Sequence, residues 1–312
     1  MKKVFIYTII LFVSFANTLF AQENSRKNYS SQDFSKTHFQ NPFTKYDQKP
    51  VFVHVGGGTM YYWGDLVDGF VPKFLRPSTN IGVSYYFSPQ LSIRATYTHG
   101  TITADDVVSA YDSHRARNLH FRSRIDELSF VFVYEIFQNQ YLNSRYFNKM
   151  GKIFSPYIFA GGALFHFNPQ AKFNGNWIDL QPLGTEGQFI PKTTGETKKA
   201  GRSYSLWNLS IPFGAGVKFN CTELITFSFE AGMRKTFTDY LDDASTTFPD
   251  LNELAKTPDG ETAVIMSDRV DETILEGVKG TGAPRGNPKY KDYYFDFALS
   301  VSYYINRKFG SK

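Results

Sequence analysis

The sequence predicts an all-β fold: an eight-stranded antiparallel transmembrane β-barrel with long extracellular loops. Three observations predict it. Eight stretches alternate apolar residues with small or charged ones at a period of two, as a strand with unlike faces must. The links between them alternate between short and long, like the turns and loops of outer-membrane barrels. Aromatic residues make up 17% of the 312 positions, yet mean hydropathy is −0.33. Many aromatics in a chain that is polar on average suit lipid-facing strands, whose hydropathy signal is weak.

Met1–Ala21 reads as a secretory signal peptide, with Lys2 and Lys3 before the apolar Val4–Phe15 and a small residue, Ala21, at the cut. No cysteine follows it, and no other stretch approaches the ~20 apolar residues of a membrane helix. Gln22–Pro50 is polar and reads as a flexible periplasmic tail. Residues 51–305 form the barrel and 306–312 a C-terminal tail. The formal charge of +5 includes the two leader lysines, and no basic run interleaved with aromatics points to nucleic acid. The single cysteine, Cys221, excludes a disulfide framework and a four-cysteine zinc site.

The first strand is expected at Val51–Tyr61, interrupted by Gly56-Gly57-Gly58. Asn80–Phe87 sets Ile81, Val83, Tyr85 and Phe87 against Gly82, Ser84 and Tyr86. Leu91–His99 and Ile125–Phe137 alternate in the same way, with Arg94 and Glu127 on their polar faces. In Phe154–Phe165 the aromatics Tyr157, Phe159 and Phe165 stand against Ala160 and Gly162, so the aromatics are assigned to lipid. Leu206–Lys235 is the clearest hairpin: Trp207 to Phe219 and Ile225 to Met233 supply an apolar face, while glycines, Lys218, Glu230 and Arg234 supply the other. Tyr293–Ile305 closes the set with Asp296 on its polar side. Ser88-Pro89-Gln90 and Asn220–Glu223 are hairpin turns, and Gln138–Ile153 is a medium link. The remaining links, Tyr62–Thr79, Gly100–Arg124, His166–Ser205 and Thr236–Asp292, are long. An even strand count leaves both ends of the barrel in the periplasm.

Eight strands enclose an interior only wide enough for side chains, so a small, OmpA-like barrel with a filled lumen is expected. Arg94, Glu127, Glu230, Arg234 and Asp296, with His54 nearby, would form a paired charge network there, because isolated buried charges are too costly. Ions or protons using this path are the alternative. His99 and His166 fall near the outer rim, where a lipid-modifying enzyme would work, but no nucleophile motif, HExxH or paired-acid signature accompanies them. No catalytic, cofactor-binding or metal site is expected. Asp239, Asp242 and Asp243 lack the ligand spacing and turn glycine of a calcium loop. Among the loops, Arg115, Arg117, Arg122 and Arg124 could meet phosphates of surface lipid or an acidic partner. Thr236–Lys289 is acidic, with eleven acids against five bases.

Seven blocks carry a resemblance: YYWGDL (Tyr61–Leu66), RNLHFRSRIDELSF (Arg117–Phe130), SPYIFAGGALFHFNPQA (Ser155–Ala171), WIDLQPLGTEGQ (Trp177–Gln188), IPFGAGVKF (Ile211–Phe219), MRKTFTDYLDDASTTF (Met233–Phe248) and RGNPKYKDYYF (Arg285–Phe295). Together they resemble the PorG-like small outer-membrane β-barrels of the type IX secretion system of Bacteroidota. The resemblance implies a non-enzymatic protein of the cell outer membrane, active in protein secretion and gliding motility, that ties a periplasmic ring to that membrane. Its implied partners are outer-membrane lipid and lipopolysaccharide and the ring subunits. Gln22–Pro50 and Gln138–Ile153 would face the ring. The outward loops would form a packed cap, given apolar content by Trp63, Trp177, Pro169 and Pro182.

Overall fold

The computed structural model describes residues 51–88, 90–136, 154–194, 197–199, 203–221, 224–271, 273–274 and 280–305. The leader and tail expected at Met1–Ala21 and Gln22–Pro50, the link Gln138–Ile153 and residues 306–312 lie outside the described residues. Period-two alternation becomes five long strands in the first half: β1 (Val51–Trp63), β2 (Arg76–Tyr86), β3 (Leu91–Asp105), β4 (His120–Glu135) and β5 (Phe154–Phe173). Three short strands follow, β6 (Asn176–Asp179), β7 (Lys192–Thr194) and β8 (Thr197–Lys199). Three more long ones complete the set, β9 (Trp207–Asn220), β10 (Ile225–Thr236) and β11 (Tyr293–Ile305). The long strands pair antiparallel in the order β4-β3-β2-β1-β11-β10-β9-β5, and β4 also pairs with β5. Each strand therefore lies beside its sequence neighbours and the cylinder closes, which removes the sheet edges.

The outside of this cylinder is apolar. Leu299 is 65% exposed, Phe132 57% and Ile158 53%, and Phe130, Leu209, Phe229 and Val83 continue the band. Large apolar side chains left bare all round a closed barrel cost too much in water and fit hydrocarbon. The protein is thus an outer-membrane β-barrel. No helix among the described residues is long and apolar enough to cross a membrane, and the strands do the crossing.

Strand β5 departs from the expected facing. Tyr157 (1% exposed), Phe159 (4%) and Phe165 (0%) point inward, and Ile158 and Leu164 face lipid. Room for the rings comes from glycines on the neighbouring strand β9 and on β10 beyond it. A Cβ at Gly216 would stand 2.4 Å from the Tyr157 ring, and one at Gly214 or Gly232 would stand 2.7 or 2.9 Å from Phe159. The glycines that look like a small-residue lumen face are the sockets for β5's aromatics. The β5–β9 ladder also lapses between Ala160↔Phe213 and Ala163↔Ser210. Pro212, which has no N–H to give, lies opposite Gly161 in that gap.

Most strands run beyond the expected ends. β3 has 15 residues, β4 16 and β5 20, against 11 in β2. The link expected at His166–Ser205 starts only at Asn174, where Asn174-Gly175 (φ 47° and 85°) turns β5 back into β6. Two positive φ values in a two-residue loop are what an Asn-Gly hairpin supplies. Among the described residues the long connections carry three short α-helices, α1 (Asp112–Arg117), α2 (Leu251–Leu254) and α3 (Gly260–Ser267). Between β1 and β2 the chain folds out over the barrel wall. The Tyr61 hydroxyl donates to the Gly69 carbonyl (2.6 Å) and accepts from the Val71 N–H (2.9 Å), with Phe70 against its ring.

Candidate functional site: a charged lumen under a knotted cap

Alternation along the strands delivers polar side chains to the interior in layers. Nearest the short-turn end, Phe52, Tyr86 and Tyr304 pack as one cluster. Beside them Lys218 of β9 donates to Glu135 of β4 at 2.7 Å and to the Tyr86 hydroxyl at 2.7 Å. Tyr86 and Ser155 also donate to the Glu135 carboxylate. In the middle layer Arg94 of β3 reaches across to Glu230 of β10 at 2.7 Å. Tyr157 donates to the same carboxylate at 2.9 Å, and Phe159 presents its ring 5.2 Å from the guanidinium. In the upper layer Arg234 lies 3.4 Å from Glu127 and 3.6 Å from Asp296. Tyr294 donates to Glu127 at 2.5 Å and Ser78 to Asp296 at 2.9 Å.

All five residues predicted for the lumen network lie inside, and the structure brings Arg94 to Glu230 and Arg234 to Glu127 and Asp296. The Lys218–Glu135 pair was missing from that set. Its signal was present, since both residues fall on polar faces. Between the layers remains an interior cavity of about 40 Å³, bordered by His54, Arg94, Glu230 and Arg234. That is room for a few water molecules. A filled, ion-paired interior supports rigidity far better than passage.

Above the lumen sits an apolar layer of Met60, Tyr62, Ile102, Phe121, Ile125, Phe165 and Phe167, joined from the loops by Leu66, Phe74, Leu119 and Leu241. A second cluster, around Leu183, Leu254 and Met266, lies in the loops themselves. Trp177 is 37% exposed and Pro182 exposed, so they do not supply the cap's apolar content as expected; aliphatic, methionine, phenylalanine and tyrosine residues do. Trp63 is half-buried against Phe295, and Pro169 lies buried on β5.

Polar residues tie the loops together over this layer. Glu186 accepts from the N–H of Ser245 (2.8 Å) and of Thr246 (3.0 Å), and from the Thr246 hydroxyl (2.7 Å). Arg285, 2% exposed, stands between Glu186 (3.3 Å) and Asp243 (3.4 Å). Thr185 and Tyr204 also donate to Asp243. Gly184 and Gly187, both at positive φ, bracket the Thr185-Glu186 pair and turn it into the knot. This accounts for the form of the block WIDLQPLGTEGQ: it is the clasp that joins two other blocks.

Arg117 corrects an expectation. It is 6% exposed and grips Asp106 with two bonds of 2.8 Å, while it donates to the Arg285 carbonyl at 2.7 Å and the Asp65 carbonyl at 2.9 Å. A bidentate guanidinium with every neighbour satisfied is a structural tie, unavailable to surface lipid. Arg115 pairs with Asp112 on α1. Arg122 and Arg124 do face outward. Arg122 donates to Gln170 at 2.9 Å and lies 4.1 Å over the Trp177 ring, and Arg124 is exposed.

The acidic loop buries part of its charge. The Tyr62 hydroxyl lies 2.6 Å from Asp242 and 3.0 Å from Asp292. One hydroxyl proton can serve only one carboxylate, so the other contact needs a carboxyl proton. Burial accordingly holds Asp242 and Asp292 well above the usual carboxylate range, with neighbouring charge from Asp65 raising Asp242 further and charge from Asp242 raising Asp292. Burial likewise lifts Asp239 and Asp243 to about 6, in Asp243 against the pull of Arg285. Among the described residues no group of His, Cys, Asp or Glu is arranged to hold a metal ion.

His99 and His166 both reach the outer rim. His99 bonds Asp126 at 2.7 Å, Tyr97 donates to the same carboxylate, and His166 packs on Trp207. Among the described residues no nucleophile contacts the His99 ring.

A family model described as a domain of unknown function (DUF6089) matches residues 38–179. No curated protein matches the sequence. Solved structures similar to this chain include the Neisserial surface protein A (NspA), at 9% identity and a TM-score of 0.38, covering 81% of this chain and 96% of that one. The attachment invasion locus protein Ail of Yersinia pestis, in complex with the heparin analogue sucrose octasulfate, is similar at 10% identity and 0.36, covering 83% and 99%. A major outer membrane protein from Thermus thermophilus is similar at 12% and 0.35, covering 82% and 99%. The barrel assignment stands on this chain's own closed ladder and apolar belt.

Proposed function

We propose that this outer-membrane barrel is a non-enzymatic anchor that fastens a periplasmic secretion and gliding assembly, of the type IX kind, to the outer membrane. The observation that carries this is a lumen filled with ion pairs and covered by a knotted cap. Such a barrel is suited to holding a fixed place in the bilayer, and its use then falls to its surfaces. The sequence blocks that resemble the type IX barrels support the choice of assembly, because three of them supply the residues of the cap's clasp. Gln22–Pro50 and Gln138–Ile153 are the segments proposed to meet the ring subunits. The test is affinity capture with the full-length barrel as bait from gently solubilised membranes, with crosslinkers placed in both segments. Ring subunits recovered through those crosslinks support the proposal; a barrel recovered without them in membranes that contain an assembled ring sinks it.

A lipid-modifying enzyme is the second reading, favoured by the His99–Asp126 pair on the rim. His99→Ala with His166→Ala would abolish a change in surface lipid if this were so, and unchanged lipid in that variant removes it.

A further inference from the structure

The outer face of β4 changes character along its length. Tyr134, Phe132, Phe130 and Leu128 form the apolar belt, and the next outward positions are Asp126, Arg124 and Arg122. Ten residues separate Tyr134 from Arg124, about 33 Å of strand and, at a tilt of ~40°, about 25 Å along the membrane normal. That is the height of a barrel's apolar band, so Arg124 emerges at the depth of lipid headgroups on the long-loop side. Trp207, 58% exposed, lies one strand beyond β5 in the row of His166 and Asp126, where the apolar belt ends.

The two arginines stand about 6.7 Å apart along one face, with exposed Lys172 of β5 two residues beyond Gln170, the register partner of Arg122. Like charges placed together on a surface repel, and nearby carboxylates would normally answer them. Here two carboxylates border the patch against three cations, which leaves it net positive. Asp179 accepts from the amides of Asn168 (2.9 Å) and Gln170 (2.6 Å). Asp126 is held by His99 and Tyr97. Trp177 and Gln170 fix the Arg122 guanidinium in place, and Arg124 makes no ion pair among the described residues. A pre-positioned guanidinium next to a free one suits a tetrahedral oxyanion.

We propose that Arg122 and Arg124, with Lys172, bind the phosphate group of an outer-leaflet lipid such as a phosphorylated lipid A. The site is independent of any partner at the short-turn end. It gives the barrel a fixed depth and a lipid contact on one flank.

The test uses the full-length protein in phosphatidylcholine nanodiscs containing diphosphorylated lipid A, with bound lipid counted by native mass spectrometry. The wild type retains the lipid, and Arg122→Gln/Arg124→Gln lowers retention about tenfold or more, the loss expected of charge-assisted contacts. Arg115→Gln, on α1, leaves retention unchanged, and lipid A stripped of its phosphates is not retained. The Arg122→Lys/Arg124→Lys variant keeps the charge but loses the stacked, forked guanidinium, so its retention falls between that of the wild type and that of the glutamine variant. Two results overturn the proposal: equal retention by the glutamine variant, or equal retention of dephosphorylated lipid. Displacement by inorganic phosphate at concentrations near that of the lipid overturns it as well, since the site would then serve a free anion.

Discussion

Arg117 and Asp106 fold as a single object, and neither tolerates the other's removal. Asp106 is wholly buried, so Arg117→Ala leaves a carboxylate without its cation, and the cap is expected to lose about 3–5 kcal/mol. Chemical unfolding followed by a probe in the loops measures it, and a loss under about 1 kcal/mol would contradict the bidentate tie. Acid chemistry gives a second expectation. Asp239 and Asp243 titrate near 6 in the folded cap, above the ordinary value of about 3.9. A raised value means the stability these groups contribute is complete below the ordinary carboxyl range and fades as pH rises through about 6. Protection of the amides in residues 239–248, with the intrinsic base-catalysed rise divided out, should therefore fall between roughly pH 4 and pH 7, and Asp239→Asn should flatten part of that fall. These roles were illegible in the sequence for a plain reason. Within strands the period of two assigns each residue a side, which placed Arg94, Glu230 and Arg234 inward. Arg117 closes a six-residue helix in a loop, where no periodicity says whether a charge faces water or a carboxylate eleven residues back.

Strand β5 shows the same rule working at one level and failing at the next. Alternation located the strand, and the choice of which face meets lipid went the other way. Tyr157, Phe159 and Phe165 are as greasy as a lipid-facing set; only the sockets at Gly214, Gly216 and Gly232 on other strands decide that they turn in. The nearest atoms a Cβ at Gly232 would meet belong to side chains, those of Arg234 and Phe159. Gly232→Ala is thus expected to destabilise the barrel by about 1–3 kcal/mol through overpacking. Combining it with Phe159→Leu should restore part of that loss, a coupling that a double-mutant cycle reads directly. Strict additivity would show that the ring and the glycine do not share space. One missed element was legible. Asn174-Gly175 is a strong hairpin signal, and it marks where β5 ends and β6 begins.

At the scale of the whole molecule, the order of strands followed from the lengths of the links, because short turns force antiparallel neighbours and an even count closes the ring. The filling of that ring makes a functional expectation. With three ion-paired layers and a cavity of about 40 Å³, the protein reconstituted in planar bilayers should carry no steady current. Sustained, salt-dependent conductance by the intact chain would mean that the layers part in the membrane. The cap's assembly from distant segments, by contrast, was recognisable only as blocks of unexplained form, since Glu186, Asp243 and Arg285 meet across 99 residues of chain. The uneven heights of the strands have a further consequence. β3, β4 and β5 stand several residues taller than β2, so the cylinder has a front and a back. A round peg can spin beside its neighbours in the plane of a fluid sheet, but a peg with one raised shoulder offers each neighbour a different profile, and whatever stands next to it can sense its compass bearing.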